Sequence, residues 1–395
     1  MNAPRRFPSD IVLGAATSAY QIEGAVHADG RGPSVWDTFA ATPGKVANGD
    51  TGDPGADHYR RWADDIELMA SLGLESYRFS IAWPRVQPDG SGPVNQAGLD
   101  FYRRLVDGLR ERGIRPMATL FHWDLPQALQ DQGGWENRDV AKRFADYAQI
   151  MFDALDVPAW ITINEPKTVV DAGYRQGVHA PGFRDDARAF VALHHLLLAH
   201  GLAVRALRAS GGDRAIGPAL NLSPVYPADA PSGGPRDDTL EDAVRHVDGL
   251  ENRLYLDPVL KGRYPADTLR WIAARSPMPE RIADGDMEII GERVDLLGVQ
   301  YYTPHYVTAT GERAYRHPRS QAWWQEIHPE GLYDLLVRLA RDYGDVPLVI
   351  TENGMPAADE ADRDGAVRDP WRVDFLRGHL DAVRRAVADG ARVTG

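Results

Sequence analysis

Val157-Pro158-Ala159-Trp160-Ile161-Thr162-Ile163-Asn164-Glu165-Pro166 is a short apolar run that ends on an amide and a carboxylate and is closed by a proline. Far downstream, Val346-Pro347-Leu348-Val349-Ile350-Thr351-Glu352-Asn353-Gly354 repeats the plan. In each stretch the apolar residues read as a buried strand, and the glutamate stands where the strand gives way to a loop. Strands buried on both faces belong to parallel sheets. Barrel enzymes keep their chemistry at the C-terminal ends of such strands. The two glutamates therefore read as a pair of carboxylates that a barrel brings to one place.

Working outward, further apolar strand candidates lie near 11–16, 74–80, 115–121, 158–163, 215–220, 294–299 and 347–351. Between them run amphipathic patterns over 59–72, 99–112, 138–155, 187–208, 332–343 and 371–389, with apolar residues at three- and four-residue spacings. Strand followed by helix, repeated, predicts a parallel sheet with crossover helices. An open doubly wound sheet fits the same alternation, but no Gly-x-Gly-x-x-Gly follows the first strand. Polar residues also close many strands rather than one crevice. Gln21 follows strand one and Arg78 lies in strand two. His122-Trp123-Asp124 follows strand three, Asn164-Glu165 ends strand four and Asn221 follows strand five. Tyr301-Tyr302 ends strand six and Glu352 ends strand seven. The expected fold is an α/β (β/α)8 TIM barrel over residues 1–395 as a single catalytic domain, with about seven β/α units present. The Pro-, Gly- and Asp-rich stretch from Pro224 to Asp238 reads as a long surface loop within it.

Composition narrows the function classes. The 395 residues carry 57 acidic and 44 basic side chains, a formal net charge of -13 with no block of like charge. That balance disfavours nucleic acid or an anionic membrane as partner. Cysteine is absent, which excludes disulfides, thiolate metal sites and a cysteine nucleophile. There is no long apolar segment near the N-terminus and no unbroken apolar run of membrane-spanning length, so a cytoplasmic protein is expected.

Two glutamates on strands four and seven of a barrel can cleave a glycosidic bond. One carboxyl protonates the leaving oxygen, and one carboxylate meets the positive charge that develops at the anomeric carbon. Enzymes that retain configuration hold the two about 5–5.5 Å apart, and inverting enzymes about 6.5–9.5 Å apart to admit a water. Sequence fixes no distance, so both outcomes stay open at this point.

Five runs carry a family resemblance. They are Ala15-Ala16-Thr17-Ser18-Ala19-Tyr20-Gln21-Ile22-Glu23-Gly24, Tyr77-Arg78-Phe79-Ser80-Ile81-Ala82-Trp83-Pro84-Arg85, His122-Trp123-Asp124-Leu125-Pro126, Thr162 to Pro166, and Ile350 to Gly354. In this order and spacing the chain resembles glycoside hydrolase family 1, the retaining β-glucosidases, β-galactosidases and 6-phospho-β-glycosidases. The resemblance implies that Glu165 is the general acid/base and Glu352 the nucleophile. It implies a raised pKa for Glu165, from burial and a neighbouring carboxylate. Arg78 and Tyr302 match positions that hold the nucleophile as an oriented carboxylate. Gln21, His122 and Asn164 match groups that bind sugar hydroxyls, Asn164 the 2-hydroxyl, and Trp123 resembles a pocket wall. Trp324 is the nearest candidate for an aglycone-facing tryptophan ahead of Pro329-Glu330-Gly331-Leu332. Relatives that cleave thioglucosides carry Gln where this chain keeps Glu165. Gln300 stands where the pattern has Asn, an amide near the acid/base. The chemistry needs no cofactor and no metal. The implied partner is a small β-glycoside or oligosaccharide, and the sequence leaves the oligomeric state open.

Each residue also has a plain structural reading. Arg78 could be an ion-pair partner inside the barrel, and His122 a hydrogen-bonded core histidine. His194, His195 and His200, on one long apolar helix, read as packing residues rather than metal ligands. Asp64, Asp65 and Glu67 read as a solvated helix face, and Trp323 and Trp324 as surface aromatics. Ala391-Arg392-Val393-Thr394-Gly395 resembles the opening of an eighth strand, and the family's Trp-Ser motif, Glu-Trp pair and last helix would lie beyond it. Two alternatives to an active glycosidase follow from that reading. One is an inactive or weakly active carbohydrate-binding barrel, and the other a fragment that another chain completes.

Overall fold

A computed structural model of the chain describes residues 7–228 and 238–395. These residues form two compact units. One comprises residues 12–220 and 255–298; the other comprises residues 221–254 and 299–395 with the N-terminal residues up to 11.

The larger unit is built on parallel strands taken in chain order: β1 (Gly14–Ala16), β2 (Ser76–Ser80), β3 (Arg115–Phe121), β4 (Ala159–Asn164) and β5 (Ala215–Asn221). From β1 to β4 the registers are regular, with Ala16 opposite Arg78, Ser80 opposite Thr119 and Phe121 opposite Ile163. Trp160, Ile161 and Ile163 of β4 and Ala118 and Leu120 of β3 are buried, which is why these strands read as continuous apolar runs. The opening residues of β6 (Leu297–Gln300) follow β5 in the sheet. Gly217 permits this, since a Cβ there would stand 1.8 Å from the carbonyl oxygen of Leu296.

Crossover helices cover these strands. Arg138–Ala154 starts on Asn137, whose side chain accepts from the Asp139 amide, and it packs against Asp186–Ser210. The second helix is long and apolar enough by length and composition to cross a membrane, but 78% of its most apolar window is buried inside the protein. It reads as a core helix. Its three histidines behave as the sequence suggests. His194 bridges Tyr264 at 3.1 Å and Asp286 at 2.9 Å, His195 contacts the Trp135 carbonyl at 2.9 Å, and His200 contacts Thr162 at 2.7 Å. Among the described residues no cluster of three or more His, Cys, Asp or Glu could hold a metal ion. On the helix His58–Ser71, Asp65 takes a hydrogen bond from His58 and Glu67 pairs with Arg112, so this acidic face is solvated but not idle.

In the smaller unit, β6 closes with Val299 and Gln300 and neighbours β7 (Leu348–Glu352). Beyond β7, Leu348 N–H donates to Arg392, Thr394 N–H to Leu348 and Ile350 N–H to Gly395. Residues 391–395 thus run parallel to β7, as expected of an opening eighth strand. The helices Pro329–Tyr343 and Pro370–Ala388 pack together over this unit. Part of the stretch expected to be loop is strand: Val225–Pro227 pairs in parallel with His305–Val307, which in turn pairs with Arg313–Ala314. The alternating apolar and aromatic residues of Val225-Tyr226-Pro227 find a sheet partner that no local pattern signals. Residues 229–237, the rest of that stretch, lie outside the described residues.

The seven strands match the seven expected segments to within a few residues. The largest shifts are at the starts of β1 and β6, and β1 begins at Gly14 because Leu13 N–H is taken by the Glu75 carboxylate instead of a sheet partner.

Candidate active site

Within the larger unit the candidate residues cluster at the ends of β2, β3 and β4. At the end of β4 the pairing with β5 shifts register between Ile161 and Asn164. Such irregularities re-aim side chains next to active sites. The next residue, Glu165, adopts a left-handed backbone with φ 44° and ψ 64°. A non-glycine residue there costs roughly 1–2 kcal/mol, and proline at the following position restricts the backbone further. Hydrogen bonds on both sides hold the conformation. Glu165 N–H donates to Ala219 at 2.9 Å, Thr168 N–H donates back to the Glu165 carbonyl at 3.0 Å, and Thr168 Oγ1 donates to Glu165 Oε2 at 2.7 Å. The carboxyl is buried, 3% exposed. A strained, over-determined residue is a common mark of a functional site.

The same geometry recurs at the end of β3, where Trp123 has φ 75°. Its indole N–H donates to the Asn164 carbonyl at 3.1 Å, so the two strand ends brace each other. On the buried face, Arg78 Nε donates to Thr119 at 3.0 Å and its Nη2 donates to Asn164 Oδ1 at 2.5 Å. A guanidinium only donates, and this contact fixes the Asn164 amide. Its Nδ2 must then be the donor to His122 Nε2, 3.1 Å away. An accepting Nε2 leaves the proton of the neutral imidazole on Nδ1. Burial, and then the charge of Arg78, push the His122 pKa well below 6.5. His122 is therefore a neutral donor through Nδ1, which is buried with no hydrogen-bond partner among the described residues. It is suited to a ligand hydroxyl. Gln21 is exposed, with Oε1 accepting from Ser18 at 2.7 Å.

Asp124, which follows Trp123, carries a signal that its sequence position does not explain. It is fully buried, and neither carboxyl oxygen has a side-chain hydrogen bond among the described residues. Burial lifts its pKa from 3.8 to about 7 against the pull of Arg31 and nearby backbone amides. The folded chain then holds a proton that the unfolded chain has lost. Stability is therefore highest below about pH 4 for this group and falls as pH rises toward 7. Asp124→Asn removes the penalty. Its stabilisation relative to the parent should grow by about 2–3 kcal/mol between pH 5 and pH 7, at 1.36 kcal/mol per pH unit. Denaturant unfolding of both proteins at the two pH values measures it, and a pH-independent difference would show that Asp124 is ionised in the fold.

Within the smaller unit, β7 ends on Glu352. Gln300 Nε2 donates to Glu352 Oε1 at 2.7 Å and Tyr302 Oη donates to Oε2 at 2.5 Å. Each oxygen thus has its own donor, an arrangement that orients a carboxylate. The sequence reading of Tyr302 agrees with this contact. Gln300, expected as an amide near the acid/base, is in contact with Glu352. The backbone is fixed as well, with Tyr301 N–H donating to the Glu352 carbonyl at 3.2 Å and Asn353 Nδ2 to the Tyr301 carbonyl at 2.7 Å. Trp324 packs edge-on to Tyr302 with ring centroids 6.1 Å apart, whereas its neighbour Trp323 is 71% exposed.

Both halves match proteins of known class. The profile of Glycosyl hydrolase family 1 matches residues 3–395. The chain is 50% identical to the thermostable beta-glucosidase B of Thermobispora bispora over 98% of its own length and 81% of that protein's. It is 43% identical to beta-glucosidase A of Thermotoga maritima, over 99% of this chain and 88% of that one. The solved structure of the Thermotoga maritima beta-glucosidase in complex with glucoimidazole superposes with a TM-score of 0.94 at 42% identity, covering 99% of this chain and 89% of that one. The expected fold therefore stands, an α/β barrel of the TIM type. A chain with this fold, this profile match and these relatives belongs to glycosyl hydrolase family 1.

Proposed function

We propose that this enzyme is a retaining β-glucosidase that releases terminal β-D-glucosyl residues by double displacement, with Glu165 as acid/base and Glu352 as nucleophile. The observation that carries the reading is the Glu352 carboxylate at the end of β7, with one donor on each oxygen from Gln300 and Tyr302. Glycosidase chemistry needs such a fixed anion beside the anomeric carbon. The relatives, named as beta-glucosidases, favour glucose as the sugar.

In the first step Glu165 gives its proton to the glycosidic oxygen while a Glu352 oxygen attacks the anomeric carbon. The bond to the aglycone breaks, the aglycone leaves as an alcohol, and an α-linked glucosyl ester forms on Glu352. Glu165, now a carboxylate, takes a proton from water, and the hydroxide attacks the anomeric carbon. The ester bond breaks, β-glucose leaves and Glu352 is regenerated. Asn164 and His122 serve as partners for the sugar hydroxyls, with the imidazole donating through Nδ1. Trp123 is the wall of the sugar pocket, and Gln21 an outer contact. Trp324 lines the aglycone side. No step calls for a metal or an organic cofactor.

Hydrolysis of 4-nitrophenyl β-D-glucoside followed by proton NMR tests the reading. The β-anomer of glucose should appear first, with the α-anomer growing in later by mutarotation. Initial α-glucose would establish inversion, and no turnover would favour the carbohydrate-binding alternative.

A further inference from the structure

We propose that Gln325 is a positioning residue for the nucleophile, an inference that rests on the assignment of Glu352 to that role. Its side chain is fully buried and both of its polar atoms are hydrogen-bonded. Nε2 donates to the Tyr302 carbonyl at 3.2 Å and to the Gly354 carbonyl at 2.7 Å, and Oε1 accepts from Ser320 Oγ at 2.8 Å. The two carbonyls belong to the segments that determine where Glu352 stands. Tyr302 donates to Glu352 Oε2, and Gly354 lies two residues beyond it in the chain. One amide therefore pins both the donor of the nucleophile and the backbone that follows it.

The Gln325 backbone sits in an equally determined loop. Ser320 N–H donates to its carbonyl at 3.0 Å, and its own N–H donates to Ala322 at 3.0 Å. On one side the Trp324 carbonyl accepts from Arg313 Nη2 at 2.8 Å. On the other, Glu326 N–H donates to Thr303 Oγ1 at 3.0 Å, and its Oε1 accepts the backbone amides of Arg316 and His317 at 2.5 and 2.7 Å. The loop backbone is thus held at several points, and the bond from Glu326 N–H to Thr303 is buried, where an unmade bond costs about 1–3 kcal/mol. It presents Trp324 to the edge of Tyr302. Gln325 thus couples the tryptophan proposed for the aglycone side to the geometry of the nucleophile. The effect should fall on the step in which Glu352 attacks, where a displacement of about 1 Å is worth as much as 100-fold in rate.

Gln325→Met keeps the length and volume but removes all three hydrogen bonds, whereas Ser320→Ala removes the partner of Oε1 together with the acceptor of the Ala322 N–H and leaves both Nε2 bonds in place. The test is the rate at which an activated 2-deoxy-2-fluoro-β-D-glucoside covalently traps each protein, with kcat and KM on 4-nitrophenyl β-D-glucoside expressed per trapped site. Gln325→Met should trap about 10- to 100-fold more slowly, with kcat reduced and KM within about twofold of the parent. Ser320→Ala should show a smaller loss in the same direction. Parental trapping rates per active site in both variants would overturn the inference, since a purely structural role lowers the number of sites and not their rate. Should Gln325→Met fail to fold, Ser320→Ala alone decides. Failure of the parent itself to take the label on Glu352 would overturn the nucleophile assignment and this inference with it, an outcome distinct from parental rates in the variants.

Discussion

Glu352→Ala should lower kcat on every β-glucoside by roughly 10⁴-fold or more, the scale seen when a residue acting as part of a catalytic unit is removed. The loss should not depend on the aglycone, because the glucosyl ester on Glu352 is common to all substrates. Folding should be close to parental. The carboxylate ends β7, and the Tyr301 N–H bond to the Glu352 carbonyl is a backbone bond that alanine keeps. Gln300 and Tyr302 would lose an acceptor, at about 1–3 kcal/mol for any donor left dry. The shortened side chain also leaves room for a small anion on the face from which Glu352 attacks. Azide entering there displaces a good leaving group in one step with inversion, so a β-glucoside yields α-glucosyl azide. Recovery of that product separates a missing nucleophile from a damaged fold. Parental turnover in Glu352→Ala would sink the assignment outright.

Much of this fold and site is legible in the sequence. Parallel strands buried on both faces announce themselves as apolar runs, and for that reason β2 to β7 lie within a few residues of their expected positions. Glu165 and Glu352 were legible because each breaks such a run at its end. The strain at Glu165 was not, since a left-handed glutamate before proline follows from the register shift between β4 and β5 and not from local propensity. The protonation of His122 was also hidden. It depends on a chain of contacts from Arg78 through Asn164 that joins three separate strand ends. Gln325 escaped notice for a related reason. Set between Trp324 and Glu326, it has the composition of a surface loop, and only its burial and its three hydrogen-bond partners distinguish it. The short strand at Val225–Pro227 needed its partner at His305–Val307 to be recognised.

Glu165→Ala should divide substrates by their leaving groups, which Glu352→Ala should not. A general acid contributes about 10²–10⁴-fold when the departing oxygen needs a proton. An alkyl glucoside or cellobiose, whose leaving alcohol is a poor one, should therefore lose activity by roughly that factor. A 2,4-dinitrophenyl glucoside departs unaided, so its first step should be almost unchanged. Its second step still needs Glu165 to deprotonate water, and the glucosyl ester on Glu352 should accumulate. The expected signature is a burst of dinitrophenol equal to the enzyme concentration, followed by slow turnover and a lowered KM. Azide should speed that slow phase, because it needs no base, and it attacks the α-linked ester from the opposite face. The product is then β-glucosyl azide, the anomer opposite to that expected from Glu352→Ala. Neither burial nor backbone strain at Glu165 alone predicts this reversal; only a double displacement with the two glutamates in these separate roles requires it. Equal losses across all leaving groups, or the same azide anomer from both variants, would show that the roles have been misassigned.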